Sequence, residues 1–343
     1  MGAVNPVLLA LLSAALFGAS APAGKAVIAS FSPFQLAGLL YLGAALGALP
    51  VVLKQHKGKR FGVPQSARAK LLGALICGGC AAPAYMFSLT LAPASTVAMY
   101  LCLESPFTAL LAALFFKEHI GKLGLLGVLG TTAAAALLSS GQGAAGFFAA
   151  LAAAAACLLW SLDNNLTAIM DGITPVEFTF WKGLVAGSVN FALGCLVQPL
   201  TASGAALFGA ITTGVLCYGL SITFYIAAAQ KLGAMRSQSI FSSAPFWGVG
   251  IAAVFLGERL TGIQLAAAGI LIASIFALLR DQHSHSHVHE AVSHVHEHSH
   301  DDGHHNHVHE GEPTSLRHSH MHEHEVMEHS HPHLPDLHHR HSH

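Results

Sequence analysis

Glu104-Ser-Pro-Phe-Thr-Ala-Leu-Leu-Ala-Ala-Leu-Phe-Phe-Lys-Glu118 and Ser243-Ala-Pro-Phe-Trp-Gly-Val-Gly-Ile-Ala-Ala-Val-Phe-Leu-Gly-Glu258 follow one pattern, the second with one residue inserted. Each carries a proline at its third position, runs through an uncharged apolar stretch, and closes on a glutamate. Further matches lie on either side. Phe17-Gly18 lines up with Trp160-Ser161, and Ser32-Pro33 with Thr174-Pro175. The chain therefore repeats itself, and each half is a chain of long apolar runs.

A hydrocarbon core about 30 Å thick asks for roughly 20 apolar residues per helix. Ten stretches meet that length: 5–29, 33–53, 70–91, 94–116, 120–139, 144–167, 175–198, 204–229, 234–256 and 260–279. They are continuous and rich in Ala and Leu rather than alternating and β-branched, which argues for helices over strands. Composition agrees. Of 343 residues, 53% are hydrophobic and 10% charged, with a mean hydropathy of +0.56. A soluble domain carries about a quarter charged residues, so water is not the main solvent of this chain. The average hides a break near Arg280. Residues 1–280 hold 14 Lys+Arg against 6 Asp+Glu, while residues 281–343 hold 2 against 11, together with 23 of the 25 histidines.

Basic residues set the expected orientation. With the N-terminus in the cytoplasm, the inward loops collect Lys54, Lys57, Lys59, Arg60, Arg68, Lys70, Lys117, Lys122, Lys231, Arg236 and Arg280. The outward side holds Arg259 and Lys25 alone, so both termini are expected in the cytoplasm. Gly18-Ala19-Ser20-Ala21 offers small residues to a signal peptidase, but no basic segment precedes it, and the repeat needs this helix; it is read as retained.

Five spans per half make the second half inverted relative to the first, an arrangement found in secondary transporters with a substrate site between the halves. On the two Pro-to-Glu segments (Pro106 to Glu118, and Pro245 to Gly257-Glu258-Arg259-Leu260), the Phe/Trp-Gly/Ser starts and the Ser/Thr-Pro starts, the sequence resembles the EamA type of the drug/metabolite transporter superfamily over residues 5–280. The resemblance implies a ten-helix inner-membrane carrier of small organic solutes. One departure is visible. The family often has an Arg in the helices after Ser/Thr-Pro, where this chain has Tyr41 in the first half and Lys182 in the second.

Ionisable groups inside a bilayer cost about 2.5–3.5 kcal/mol each on insertion scales and so need a reason. Glu104 stands near the centre of the fourth span, two residues before Pro106, where a proline frees a carbonyl and lets a helix bend. A carboxylate there suits a substrate amine, a proton or a cation. The lesser alternative is a protonated acid bonded to a neighbouring helix. Asp163 and Asn164 lie in the inner part of the sixth span, and Lys182 at similar depth in the seventh. Lys182 can pair with Asp163 or with Glu104. Glu177 and Lys25 are expected to snorkel to water. Tyr100 and Trp247 join Asn190, Tyr218, Tyr225 and Gln238 as polar candidates for a pocket, and Pro245 mirrors Pro106 as a bend. The glycines at 121, 124, 127 and 130 read as close helix packing. All six cysteines fall inside spans; Cys77-Gly-Gly-Cys80 reads as helix contact rather than a soft-metal site.

The tail repeats His-x-His: His285, His287, His289, His294, His296, His298 and His300, then His318, His320, His322 and His324. With little apolar surface to bury it is expected to be disordered. Alternate residues of an extended chain share a side, so neighbouring imidazoles can hold Zn, Ni or Co. His289-Glu-Ala-Val-Ser-His294 and His324-Glu-Val-Met-Glu-His329 carry one residue too many for a zinc-protease helix. No nucleophile elbow or phosphate loop occurs, so no enzyme activity is expected.

The expectation is an all-α integral membrane protein: two inverted five-helix repeats, 1–140 and 141–280, and a disordered cytoplasmic tail, 281–343. Its partners would be the lipid bilayer, a small-molecule substrate and divalent metal ions. No nucleic acid and no required cofactor are implied, and a homodimer is compatible with the sequence. Three functions compete: a carrier of organic solutes with an accessory metal-binding tail, a divalent metal transporter with the tail as collector or sensor, and a membrane-tethered metal buffer.

Overall fold

Several helix starts in this chain are set by side-chain caps, and the caps explain the Ser/Thr-Pro motifs. The computed structural model describes residues 5–55, 63, 65–116, 121–140, 143–168, 173–232, 240–280, 284–289, 293–298, 318–323 and 327–332. Helix α3 (Pro33–Gln55) opens on a reciprocal cap, with the Ser32 amide donating to Gln35 Oε1 at 3.0 Å and the Gln35 amide to Ser32 Oγ at 3.2 Å. Helix α9 (Pro175–Val197) repeats it with Thr174 and Glu177. Each cap satisfies two amides that the helix itself leaves open, and proline fits the first helical position because it has no amide to lose. Glu177 is therefore a capping residue at the helix end.

Helix α1 (Pro6–Gly18) is capped by Asn5 and passes through Ala19 into α2 (Ser20–Val27) and a 3-10 turn, Ile28–Ser30. Then follow α4 (Gln65–Leu91), α5 (Ala94–Tyr100) and α6 (Glu104–Phe116), the last two joined by a 3-10 segment, Leu101–Leu103. Helices α7 (Lys122–Ser140) and α8 (Gly143–Ala168) come before α9. After it stand α10 (Gly204–Thr213), a π-helical stretch Gly214–Leu220, and α11 (Ser221–Leu232). Helices α12 (Ala244–Phe255) and α13 (Gly262–Arg280) complete the apolar part.

Seven helical stretches are long and apolar enough to cross a membrane, and Ala244–Phe255 and Gly262–Ala277 are shorter apolar helices, all among the described residues. The expected span 94–116 is divided at Leu101–Leu103. Large apolar side chains face outward, Leu114, Leu196, Phe208 and Phe255 each more than 70% exposed, while Ser13, Gln35, Asp163 and Lys182 are buried. That is the polarity of a bundle dissolved in lipid.

Helix α3 packs on α9, α5 on α12, α7 on α13, α4 on α8 and α1 on α11. Close approach is bought with small residues. In the π-helical stretch a Cβ on Gly214 would lie 2.2 Å from the Leu40 carbonyl oxygen of α3. Of the glycines in α7, Gly124 and Gly127 are buried, and Gly130 faces Ser274 of α13.

The tail, Gln282–Leu334, forms a unit of its own. Its described residues are four strands, β1 (Ser284–His289), β2 (Ser293–His298), β3 (His318–Glu323) and β4 (Met327–Pro332). They pair antiparallel, β1 with β4 and β2 with β3. These strands depart from the expected disorder. The His-x-His alternation has the period of a strand.

Candidate functional site

The 3-10 segment Leu101–Leu103 turns the fourth apolar stretch so that Glu104 begins a new helix at the middle of the bundle. Glu104 is 7% exposed. Its carboxylate accepts a hydrogen bond from Asn164 Nδ2 of α8 at 2.6 Å. Its carbonyl accepts from Ser161 Oγ at 3.0 Å and Thr108 Oγ1 at 2.9 Å. Pro106 stands in the first turn of α6, and Pro245 in the first turn of α12.

Glu104 lines a small cleft. Phe17, Cys102 and Ser105 wall it from the first half, and Phe241, Ser242 and Pro245 from the second. Ser105 Oγ and Ser242 Oγ lie 3.3 Å apart across the boundary. Beneath them runs a line of aromatic rings. Phe17 meets Trp160 edge-on at 5.7 Å and Phe241 at 5.3 Å; Tyr218 stands 6.1 Å from Phe17 and 5.4 Å from Tyr41. Phe17 and Trp160, equivalent positions of the two repeats, thus touch at the centre.

Next along α8 from Asn164, Asp163 pairs with Lys182 of α9. Both are buried. The ammonium lies 6.0 Å from the Tyr41 ring centroid and 5.5 Å from that of Phe178, within cation–π range. Gly78 makes room: a Cβ there would meet Lys182 Cε at 2.4 Å. The Tyr41 hydroxyl donates to the Gly78 carbonyl, and Asn190 Nδ2 to the Gly79 carbonyl. The two glycines between Cys77 and Cys80 therefore serve the pair and the α4–α9 contact. Asp163 Oδ1 is buried without a hydrogen-bond partner among the described residues, as are the hydroxyls of Tyr100 and Tyr218.

The structure thus brings Glu104 and Asn164 together and joins Lys182 to Asp163 rather than to Glu104. Tyr100 is buried in α5 and is not among the cleft's lining residues, and Trp247 is 46% exposed on α12. Gln238, His300 and His324 lie outside the described residues. Phe17, Ser105, Phe241 and Ser242 were not singled out as pocket residues from sequence. Ser105 and Ser242 sit beside the two prolines of the repeat, which was the available signal. Among residues whose side chains are described, no three His, Cys, Asp or Glu gather as a metal site.

The comparisons with known proteins agree with this architecture. An uncharacterized transporter of Clostridium kluyveri is 23% identical over 290 residues, covering 77% of this chain and 90% of that protein. A solved crystal structure superimposes with a TM-score of 0.59 at 17% identity, over 80% of this chain and 96% of that one, which shows the shared fold. The model of the EamA-like transporter family matches twice, over residues 5–140 and 147–280. With two copies of the family's unit covering most of its length, the chain belongs to the EamA-like transporter family.

Proposed function

We propose that this protein is a secondary carrier of small organic solutes, without enzymatic chemistry, working by alternating access at the Glu104 cleft. One observation carries the reading: a buried carboxylate, held by Asn164, faces a cleft whose walls come from both repeats. A site shared by two bundles changes its access when the bundles rock against each other. A lone carboxylate in an apolar, aromatic cleft favours a solute with a basic or hydrogen-bond-donating group, or a proton that couples its movement.

The helix pairing supports two inverted five-helix repeats. Exchanging the halves maps α3–α9, α5–α12 and α7–α13 onto themselves and α4–α8 onto α1–α11. Ten crossings and the loop charges favour an inner-membrane protein with both termini in the cytoplasm. The tail is read as an accessory that binds divalent metal ions. Transport of metal is the weaker alternative, because the two histidines outside the tail, His56 and His119, fall in loops of the expected topology.

The test is uptake into proteoliposomes of a panel of amine-bearing solutes, with wild type and Glu104→Gln. The amide keeps an acceptor for Asn164 but carries no charge. Saturable uptake of at least one solute, reduced at least tenfold in the variant, is expected. Equal uptake by both proteins would remove Glu104 from the mechanism.

A further inference from the structure

Among the described residues, three charged side chains lie buried in the bundle: Glu104, Asp163 and Lys182. They form one group. Lys182 pairs with Asp163, and Asp163 is followed on α8 by Asn164, which donates to the Glu104 carboxylate at 2.6 Å. Both members of the pair are within electrostatic reach of Glu104. One ammonium therefore stands against two carboxylates, and the ionised group carries one negative charge in excess. Burial makes such a surplus costly, and a single added positive charge removes it. Tyr41 of α3 and Cys77 of α4 stand beside the pair, and Cys157 of α8 and Tyr225 of α11 beside Glu104. Phenols and thiols are uncharged near neutral pH and leave the count as it is.

The pair has an opening for that charge. Lys182 bonds to Asp163 Oδ2, while Oδ1 is buried with no hydrogen-bond partner among the described residues. An ionised carboxylate accepts on both oxygens, and a buried acceptor left open calls for an explanation. A proton arriving on Oδ1 forms an O–H bond there and makes Asp163 neutral. Lys182 keeps its surroundings: its ammonium lies 5.5 Å from the Phe178 ring centroid and 6.0 Å from that of Tyr41, and its charge then balances Glu104. Packing alone does not ask for an ion pair here, since apolar residues of similar volume often fill a buried site as well.

We propose that Asp163 is the coupling-proton site of the carrier, distinct from the solute anchor Glu104, and that the group holds either one proton on Asp163 or one solute cation at Glu104. This rests on the reading of Glu104 as the anchor. With a proton on Asp163, Lys182 balances Glu104 and the cleft releases its cation. With Asp163 ionised, Lys182 is engaged there and Glu104 is left to a basic solute. One proton is exchanged for one monovalent amine, so the cycle moves no net charge across the membrane.

Two measurements on the full chain test this. The first needs no solute. Infrared difference spectra of the protein in nanodiscs, with aspartate carboxyls isotopically labelled, are recorded between alkaline and mildly acidic buffer. Wild type is expected to gain the carbonyl band of a protonated, buried aspartic acid. Asp163→Asn should lack it. So should Asp163→Leu/Lys182→Met, measured beside it because Asp163→Asn leaves Lys182 without its partner. No Asp163-dependent band in wild type would overturn the proposal, and the pair would be a structural bridge, ionised throughout.

The second measurement uses the amine that shows saturable uptake in the Glu104 test. With a vesicle interior about one pH unit more acid than the medium, its accumulation by wild type should rise about tenfold at this stoichiometry. An imposed potassium diffusion potential should leave it unchanged. Asp163→Leu/Lys182→Met should lose the response to the gradient. Wild-type uptake that ignores the proton gradient would overturn the coupling while Glu104 stands as the anchor. A response that survives in the double variant would overturn the assignment to Asp163. If no amine is taken up, the reading of Glu104 fails by its own test, and the infrared spectra still decide whether Asp163 takes the proton.

Discussion

Asp163 and Lys182 show why a charge can persist among apolar helices. Each alone would face lipid-like surroundings uncompensated; together they satisfy most of each other, with the Tyr41 and Phe178 rings beside the ammonium. Removing one partner leaves a buried charge, which costs about 3–5 kcal/mol in buried pairs, whereas replacing both with apolar groups is often near neutral. Lys182→Met should therefore lower the unfolding midpoint in detergent markedly, and Asp163→Leu/Lys182→Met should recover most of the loss. A single variant as stable as wild type would show that the pair contributes nothing. Gly78→Ala tests the same place from the other side. Its Cβ would sit 2.4 Å from Lys182 Cε, and overpacking of this kind costs about 1–3 kcal/mol. The variant should melt earlier, and combining it with Lys182→Ala should cost less than the two losses added, because alanine has no Cε for the new Cβ to meet. The sequence showed both charges at similar depth but left Lys182 two partners. Hydropathy fixes how deep a residue lies, not how its helix is rotated, and rotation decided for Asp163. Nor could the spacing of Cys77 and Cys80 show that the glycines between them mattered more than the thiols.

Helix ends join parts of the chain that lie far apart in sequence. Glu258, in the loop after α12, accepts from the Ala94 amide at 2.8 Å and the Ser95 amide at 2.9 Å, at the first turn of α5. Lys25 donates to the Leu89 and Ala92 carbonyls at the end of α4. A carboxylate at a helix N-terminus and an ammonium at a C-terminus both match the helix dipole and fill bonds the helix leaves open. Lys25 therefore caps a helix rather than snorkelling outward. Between them these two residues fasten both sides of the Ala92-Pro93 corner. Glu258→Ala should destabilise the protein by about 1–2 kcal/mol, within the range for lost N-caps, and Glu258→Gln by less, since it retains one acceptor. Thermal unfolding with both variants gives the order; equal melting of Glu258→Ala and wild type would exclude the cap. The closing glutamate of the repeat was legible as a motif. Its partner was not, because the bond reaches from one half of the chain to the other. Caps within four residues, such as Ser32 with Gln35, could have been read from the S-x-x-Q pattern.

At the scale of the molecule, the boundary between the repeats is thin where the cleft opens and dense elsewhere. The long contacts α3–α9 and α7–α13 join like elements, and Ser13 Oγ of α1 reaches the Ser221 carbonyl of α11 at 2.8 Å. The alternating-access reading requires some of this boundary to part, and the Ser105–Ser242 contact beside Glu104 is where parting would admit a solute. Two hydroxyl oxygens 3.3 Å apart mark side chains whose positions can accommodate a disulfide after a small shift, given the usual S–S length of about 2.05 Å. In a background freed of the six native cysteines, Ser105→Cys/Ser242→Cys should cross-link on mild oxidation. Uptake should then fall to the level of empty vesicles and return on reduction. Ser13→Cys/Ser221→Cys, joining α1 to α11 away from the cleft, separates the effect of a crosslink as such from the effect of closing this seam: it should form as readily and leave more of the uptake. Full transport with the Ser105–Ser242 positions covalently joined would mean that the boundary at Glu104 does not open during the cycle, and the site of passage would have to be sought elsewhere in the bundle.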